Sequence, residues 1–227
     1  MNVAIIVAAG SGSRFAADKP KQFTELLGKP LIIHTLEQFE ACPAVDEIVL
    51  VLSEDGRREF KIQNAKFKIS KLKRIVTGGA TRAESVRNGM DSIAAADNAI
   101  VAVHDGARPL VTPEEIAAVI VAAAETGAAC LVAPVNDTIK SVEGGVINFT
   151  VDRSRLRRAL TPQAFRYDIL KRAFEDGEVS DAVTDECYLV EKLGVPITMV
   201  EGSATNIKIT RPEDLIFAEA ILSVART

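Results

Sequence analysis

The sequence predicts an α/β fold, a mostly parallel β-sheet with helices packed on both of its faces. Three observations carry that prediction. Short apolar runs alternate with stretches of helical periodicity through most of the chain, the pattern of successive strand–helix–strand units. Val3–Ala8, Glu47–Leu52, Ala99–Val103 and Ala128–Ala133 are nearly continuous apolar runs, as strands covered on both faces must be. With 227 residues, 48% of them hydrophobic and 26% charged, the chain can bury the core that such a sheet needs. No internal repeat or low-complexity segment divides it, so residues 1–227 are expected to form one domain.

The elements follow in order. Strand Val3–Ala8 runs into a glycine-rich loop. A helix near Leu31–Glu40 precedes strand Glu47–Leu52, and Lys73–Val76 is the next strand. Three helix starts carry capping boxes, in which a threonine and a glutamate satisfy the orphan N–H groups of the first turn. Thr81 with Glu84 opens Arg82–Ala94, Thr112 with Pro113 and Glu115 opens Pro113–Thr126, and Thr210 with Glu213 opens a last helix from Arg211. Strands Ala99–Val103 and Ala128–Ala133 flank the second of these. Val135 to Arg153 then breaks the alternation. Its segments 138–142 and 146–151 are strand-like, and Glu143-Gly144-Gly145 reads as a hairpin turn. An isolated two-stranded hairpin is marginal in water, and this one has apolar residues on both faces, so it is expected to pack on another surface. Helices near Arg166–Glu175 and Thr184–Leu193 and a strand Pro196–Val200 lead to the last helix.

Composition excludes several classes. A net charge of −4 argues against a nucleic-acid surface. No apolar run reaches the length of a membrane span, and the N-terminus reads as a strand rather than a signal peptide. Cys42, Cys130 and Cys187 lack metal-ligand spacing and read as reduced thiols of a cytoplasmic protein; His34 and His104 cannot build a histidine-rich metal site.

The most informative stretch is the first loop, Ala8-Ala9-Gly10-Ser11-Gly12-Ser13-Arg14, followed by Lys19-Pro20-Lys21-Gln22. A buried strand breaking into such a loop exposes backbone N–H groups that bind anions, and the added Arg14 and Lys21 suit a triphosphate. Phe15 stands where a dinucleotide fingerprint needs its third glycine, and no Lys-Ser or Lys-Thr follows Gly12 as a Walker loop requires. A plain strand-to-helix turn with solvated charges is the alternative. Gly78-Gly79-Ala80-Thr81-Arg82 follows a strand and opens a capped helix; a base or ribose fits there with Ser85 one turn in, and so does an ordinary turn. Asp105, ending the strand before Gly106-Ala107-Arg108, is placed to hold Mg²⁺ or a substrate hydroxyl, with a cap on local N–H groups as the alternative, while His104 reads as packed. Arg155, Arg157 and Arg158 read as a solvated face. Leu160-Thr161-Pro162-Gln163, Val183-Thr184-Asp185-Glu186 and Asn206-Ile207-Lys208-Ile209-Thr210 each place a hydroxyl or cation at an element end, as a phosphate site would need.

Taken together and in order, these motifs resemble the 2-C-methyl-D-erythritol 4-phosphate cytidylyltransferase family of the non-mevalonate isoprenoid pathway. The resemblance covers essentially the whole chain: Ala-Ala-Gly10 with Arg14 and Pro-Lys21-Gln, Gly78-Gly79, His-Asp105-Gly-Ala-Arg108-Pro, Asp-Thr138, Val-Asp-Arg153, Leu-Thr161-Pro-Gln, Thr184-Asp-Glu and Asn-Ile-Lys208-Ile-Thr. It implies a Rossmann-like nucleotidyltransferase (GT-A-like) α/β domain with a projecting β-hairpin dimerisation arm at about 135–153. It implies transfer of a cytidylyl group from CTP to methylerythritol phosphate with Mg²⁺ as cofactor. It also implies a homodimer whose arms interlock.

By the same resemblance Arg14 and Lys21 are transition-state stabilisers, and Arg153 and Lys208 place the attacking phosphate. CTP is expected at Ala8, Ala9, Gly10, Gly12, Gly79 and Ser85. The second substrate is expected at Asp105, Gly106, Arg108, Thr138, Thr161 and Thr184, with Asp105 the one candidate metal ligand beside the CTP phosphates. Val7 and Ala80 depart from the family pattern, which often has Pro and Asp there, so base recognition falls to backbone groups. A ribitol 5-phosphate cytidylyltransferase shares the fold, but Ala8-Ala9-Gly10, Val151-Asp152-Arg153 and Thr184-Asp185-Glu186 favour methylerythritol phosphate. Retention of Arg14, Lys21, Asp105, Arg153 and Lys208 together speaks against a non-catalytic nucleotide-binding regulator.

Overall fold

The computed structural model describes residues 1–10, 15, 20–63, 67–177 and 183–224. In chain order the elements are β1 (Asn2–Ala8), β2 (Glu25–Leu26), β3 (Lys29–Pro30), α1 (Leu31–Ala41), β4 (Glu47–Leu52), α2 (Glu54–Gln63), β5 (Leu72–Thr77), α3 (Arg82–Asp91), β6 (Ile100–Asp105), α4 (Pro113–Thr126), β7 (Ala128–Pro134), β8 (Ile139–Glu143), β9 (Val146–Val151), β10 (Arg157–Arg166), α5 (Tyr167–Asp176), α6 (Glu186–Lys192), β11 (Thr198–Glu201) and α7 (Pro212–Val224).

Seven strands form one sheet in the order β11-β7-β10-β6-β1-β4-β5. All pairs are parallel except those of β10, which runs antiparallel to both β6 and β7. Alternate strand residues enter opposite layers. Ala4 and Ile6 of β1 with Ile48 and Leu50 of β4 pack against α1 and α4, while Val3, Ile5, Val49 and Val51 pack against α3 and α5. The helices thus lie on both faces, and the near-continuous apolar runs follow from that double burial. A third cluster, Phe15, Leu26, Leu31, Ala107 and Ile209, joins α7 to one end of the sheet.

The capping boxes at Thr81/Glu84 and Thr112/Glu115 form as the sequence predicts. The third differs. Pro212 takes the first helical position, so Asp214 rather than Glu213 reaches back, accepting from the N–H groups of Thr210 and Arg211. Helix α3 stops at Asp91, three residues short of the expected Ala94, where Ser92 turns its hydroxyl onto the Gly89 carbonyl. β11 starts at Thr198 rather than Pro196. Helix α2 and strand β10 were not foreseen. β10 begins with two exposed arginines and carries Pro162 where its register to β7 shifts, so its apolar stretch is interrupted. All three cysteines are buried and free.

β8 and β9 form the foreseen hairpin, a separate two-stranded sheet. Gly144 and Gly145 both adopt positive φ, 56° and 81°, which an L side chain disfavours and a tight hairpin turn requires. Ile139 pairs with Val151 and Val142 with Ile147, so the two apolar pairs lie on opposite faces of the ribbon.

Candidate active site

The chain passes from β1 outward through β4 and β5, then crosses to β6 on the other side of β1. In a sheet of this kind the crevice opens beyond the carboxyl ends of the strands flanking that switch. A pocket of about 500 Å³ lies there, lined by Val7 to Gly10, Lys21, Gln22, Gly79 to Arg82, Ser85, Asp105, Ala107, Lys208 and Thr210.

Close backbone approach shapes one wall. A Cβ added to Gly78 would stand 2.3 Å from the Ala9 Cβ, so only glycine lets the turn after β5 pass this close to the residue that follows β1. The Ser85 hydroxyl accepts from the Gly79 N–H at 3.1 Å and donates to the Thr81 carbonyl at 2.9 Å, fixing the turn. The Ala80 N–H goes to the Glu84 carboxylate at 2.7 Å. On the opposite wall the Gln22 amide donates to the Ala8 carbonyl at 2.7 Å, and the Lys21 ammonium donates to the Ile209 carbonyl at 2.8 Å. Lys21 is thereby tied to the segment that carries Lys208, far along the chain.

Asp105 is the centre of the floor. Its Oδ1 meets Arg82 at 3.0 Å, and its Oδ2 meets Lys208 at 2.9 Å and Arg108 at 3.5 Å. Burial alone would push its carboxyl up, but Arg82 and Lys208 outweigh burial and hold it well below the ordinary carboxylate range. Arg82 also meets Glu186 at 2.6 Å. Burial pushes Glu186 up against the pull of Arg82.

Beneath the floor sits His104, fully buried. Its Nε2 meets the Arg108 carbonyl at 3.1 Å, which can only accept, so Nε2 carries the proton. Its Nδ1 therefore accepts from the Thr161 hydroxyl at 3.0 Å, and the same oxygen accepts from the Asp105 N–H at 3.1 Å. Burial pushes His104 down to about 3, so the ring is neutral at physiological pH. His104 is a structural residue, as the sequence predicts.

The structure brings together Ala8, Ala9, Gly10, Lys21, Gly79, Ser85, Asp105 and Lys208. It does not place every expected residue on the pocket wall. Thr161 has its hydroxyl engaged on both sides and lies buried under Asp105. Gly106 packs on Ala8 and Ile32, where a Cβ would come within 2.9 Å of one and 2.8 Å of the other. Arg108 is turned to Asp105 and the Asn206 carbonyl. These three build the floor from below rather than lining it. Thr138 and Thr184 are exposed and do not line the pocket, and Arg153 lies at the root of the hairpin, donating to the Asn136 carbonyl. Gly12 and Arg14 lie outside the described residues.

Sequence reasoning missed the parts played by Arg82, Gln22 and Glu186. Arg82 and Glu186 stand at helix starts, where charged residues are ordinary, and nothing local tells that Glu186 is buried. The Lys21-Gln22 pair offered a weak signal, two polar residues directly after a proline and before the buried Phe23.

A metal can be tested against this donor set. Among the described residues no three His, Cys, Asp or Glu side chains stand together, and Asp105 is the one carboxylate lining the pocket. A single carboxylate already facing three cations cannot cage an ion, but it fits Mg²⁺ carried chiefly by substrate phosphates.

A doubly covered, mostly parallel sheet with a glycine-walled, lysine-lined crevice at its carboxyl edge defines a nucleotidyltransferase. The family model of IspD, 2-C-methyl-D-erythritol 4-phosphate cytidylyltransferase, matches residues 2–224, and the chain belongs to that family. An enzyme of that name from Bacillus velezensis is 47% identical over 97% of this chain and 95% of its own. Two solved structures have the same fold. The 4-diphosphocytidyl-2C-methyl-D-erythritol synthase of Anaerococcus prevotii has a TM-score of 0.83 at 30% identity over 98% of both chains. The 2-C-methyl-D-erythritol 4-phosphate cytidylyltransferase of Thermus thermophilus has a TM-score of 0.75 at 33% identity over 100% of both.

Proposed function

We propose that the chain transfers a cytidylyl group from CTP to 2-C-methyl-D-erythritol 4-phosphate, forming CDP-methylerythritol and pyrophosphate. The observation that carries this reading is the meeting of Ala8 to Gly10, Lys21, Asp105 and Lys208 at one crevice in a member of that family. A phosphate oxygen of the polyol phosphate attacks the α-phosphorus of CTP in line with the departing pyrophosphate, forming one P–O bond and breaking the other. The attacking oxygen is already anionic near neutral pH, so no general base is needed. Positioning and charge neutralisation do the catalysis.

Lys21 and Arg14 stabilise the charge that builds on the transferring phosphoryl group. Ala8, Ala9, Gly10, Gly12, Gly79 and Ser85 receive the nucleotide. With Ala80 in place of a polar side chain, cytosine is read by backbone groups; its amino group donates to a carbonyl that would repel the oxygen uracil carries there. Lys208 and Arg153 place the attacking phosphate. Asp105, supported by Gly106, Arg108 and Thr161, forms the substrate side; Thr138 and Thr184, which stand outside the pocket lining, meet the substrate where it extends beyond that lining. Bound Mg²⁺ supplies neutralisation of the triphosphate charge, with Asp105 the described pocket carboxylate that would hold it.

The chain works as one nucleotidyltransferase domain and as a homodimer, the arm of one subunit bringing Arg153 to the other's pocket. Support comes from the exposed Val142, Val146, Ile147 and Phe149 of the hairpin and from Arg153 standing outside its own chain's pocket lining. Among the described residues no helix is long and apolar enough to cross a membrane, and on this reading the site of action is the cytoplasm.

Pyrophosphate release with CTP, UTP, ATP or GTP against methylerythritol phosphate or ribitol 5-phosphate tests the reaction. CTP with methylerythritol phosphate should far exceed every other pair. Equal rates with UTP would refute cytosine readout, and preference for ribitol 5-phosphate would refute the acceptor. Lys208→Ala should raise the KM for methylerythritol phosphate with CTP affinity little changed.

A further inference from the structure

Two charged side chains beside the pocket have no part in the reaction as described. Arg82, first in α3, lines the crevice, and Glu186, first in α6, is fully buried. A carboxylate withdrawn from water is costly unless it is well paired. Glu186 has one ion-pair partner, Arg82, and its Oε2 has no hydrogen-bond partner among the described residues. Helix α6 does not need it. Asp185 caps that helix, and Gln163 ties it to β10 by accepting from the Cys187 N–H and donating to Asp185.

The pair continues toward the pocket. Glu186 meets Arg82 at 2.6 Å, Arg82 meets Asp105 at 3.0 Å, and Asp105 meets Lys208 at 2.9 Å. Side-chain exposure runs from 0% at Glu186, through 22% at Arg82 and 9% at Asp105, to 39% at Lys208. Charges alternate along a path that starts in the interior and ends on an ammonium in the crevice. The four residues come from α6, α3, β6 and the segment before α7.

We propose that Arg82 and Glu186 are positioning residues that aim Lys208: buried Glu186 anchors Arg82, Arg82 occupies Oδ1 of Asp105, and Asp105 thereby presents Oδ2 to Lys208. The reason is competition. Arg82 divides its guanidinium between two carboxylates. Without Glu186 its whole charge falls on Asp105, where it contends with Lys208 and Arg108 for two oxygens. With Glu186 in place, three cations face two carboxylates, and the one surplus positive charge is delivered at the exposed end. The inference rests on the assignment of Lys208 to the substrate phosphate.

A double-mutant cycle tests it. Glu186→Gln keeps the shape and removes the charge. It should raise the KM for methylerythritol phosphate about tenfold and the KM for CTP less than about twofold. In a Lys208→Ala background the same change should alter kcat/KM less than about twofold, because the group it acts through is gone. Equal losses in both backgrounds would overturn the positioning role while leaving Lys208 in its place. An unchanged KM for methylerythritol phosphate in Lys208→Ala alone would overturn the Lys208 assignment, and this inference with it. Thermal unfolding accompanies each variant. If Glu186→Gln does not fold, Arg82→Lys, which keeps the charge but cannot span both carboxylates, goes through the same cycle with the same deciding outcomes.

Discussion

The floor around Asp105 and the hairpin of β8 and β9 are built on opposite terms. On the floor, each side chain of the Asp105 cluster finds an oppositely charged partner within the same chain, and the cluster is anchored on a buried carboxylate. The hairpin does the reverse. Its apolar side chains face solvent on both sides, with Phe149 and Ile147 each about 60% exposed. A two-stranded ribbon with no covering layer is marginal in water. The floor's ion pairs thus close within one chain, whereas on the proposed reading the arm is covered by a second subunit. Damage to the floor should act inside each molecule at any protein concentration, whereas damage to the arm should act between molecules and depend on concentration.

The sharpest break of the floor is Lys21→Ala. Loss of one preorganised donor at a charged transition state costs about a hundredfold to a thousandfold in turnover. The loss should be the same at nanomolar and micromolar enzyme, with calorimetric CTP affinity much less affected. Near-normal turnover would remove Lys21 from the chemistry.

The next test asks whether the arm completes a neighbour's site. Lys21→Ala and Arg153→Ala, each inactive, are refolded together. Random pairing makes about half the dimers mixed, and in a closed two-fold dimer each mixed pair has one intact site of two if Arg153 crosses over, so about a quarter of the activity returns. If Arg153 serves its own subunit, nothing returns once exchange is confirmed.

A milder break replaces Ile147 and Phe149 by Asp. The doubly charged arm should sediment as a monomer, and activity should fall most steeply on dilution. The isolated chain should retain its far-ultraviolet spectrum, because neither residue belongs to the core clusters. A dimer as tight as the parent would refute the arm as interface.

The smallest effect concerns His104 under the floor. Folded His104 stays neutral down to about pH 3, while the unfolded chain takes up the proton near the ordinary value of 6.5. Its folded value is depressed, so the stability linked to it is complete above pH 6.5 and is lost as pH falls toward 3. His104→Gln, which cannot titrate, should shrink the stability difference between pH 7 and pH 4.5 by up to about 2–3 kcal/mol. Urea midpoints at the two pH values decide, and an unchanged difference would show that the ring is not held neutral.

Much of this was legible in the residues. Period-two burial in β1 and β4, two capping boxes and the Gly144-Gly145 turn are local, and local chemistry predicts them. Where local rules competed, the sequence misled. Pro212 moved a cap from Glu213 to Asp214, and Arg157, Arg158 and Pro162 hid a central strand that its neighbours β6 and β7 hold in place.

By itself, then, the sequence determined most of the elements, though not α2 or β10, and with them the doubly covered sheet and its glycine-rich turns, because backbone preference and apolar periodicity act over a few residues. Only the tertiary structure decided that Lys21 is tied to the segment carrying Lys208, that Thr161 serves Asp105 from below, and that Glu186 is buried against Arg82. Those contacts join residues far apart in sequence. A charged side chain acquires its meaning from the field of its spatial neighbours, which no local pattern of residues encodes.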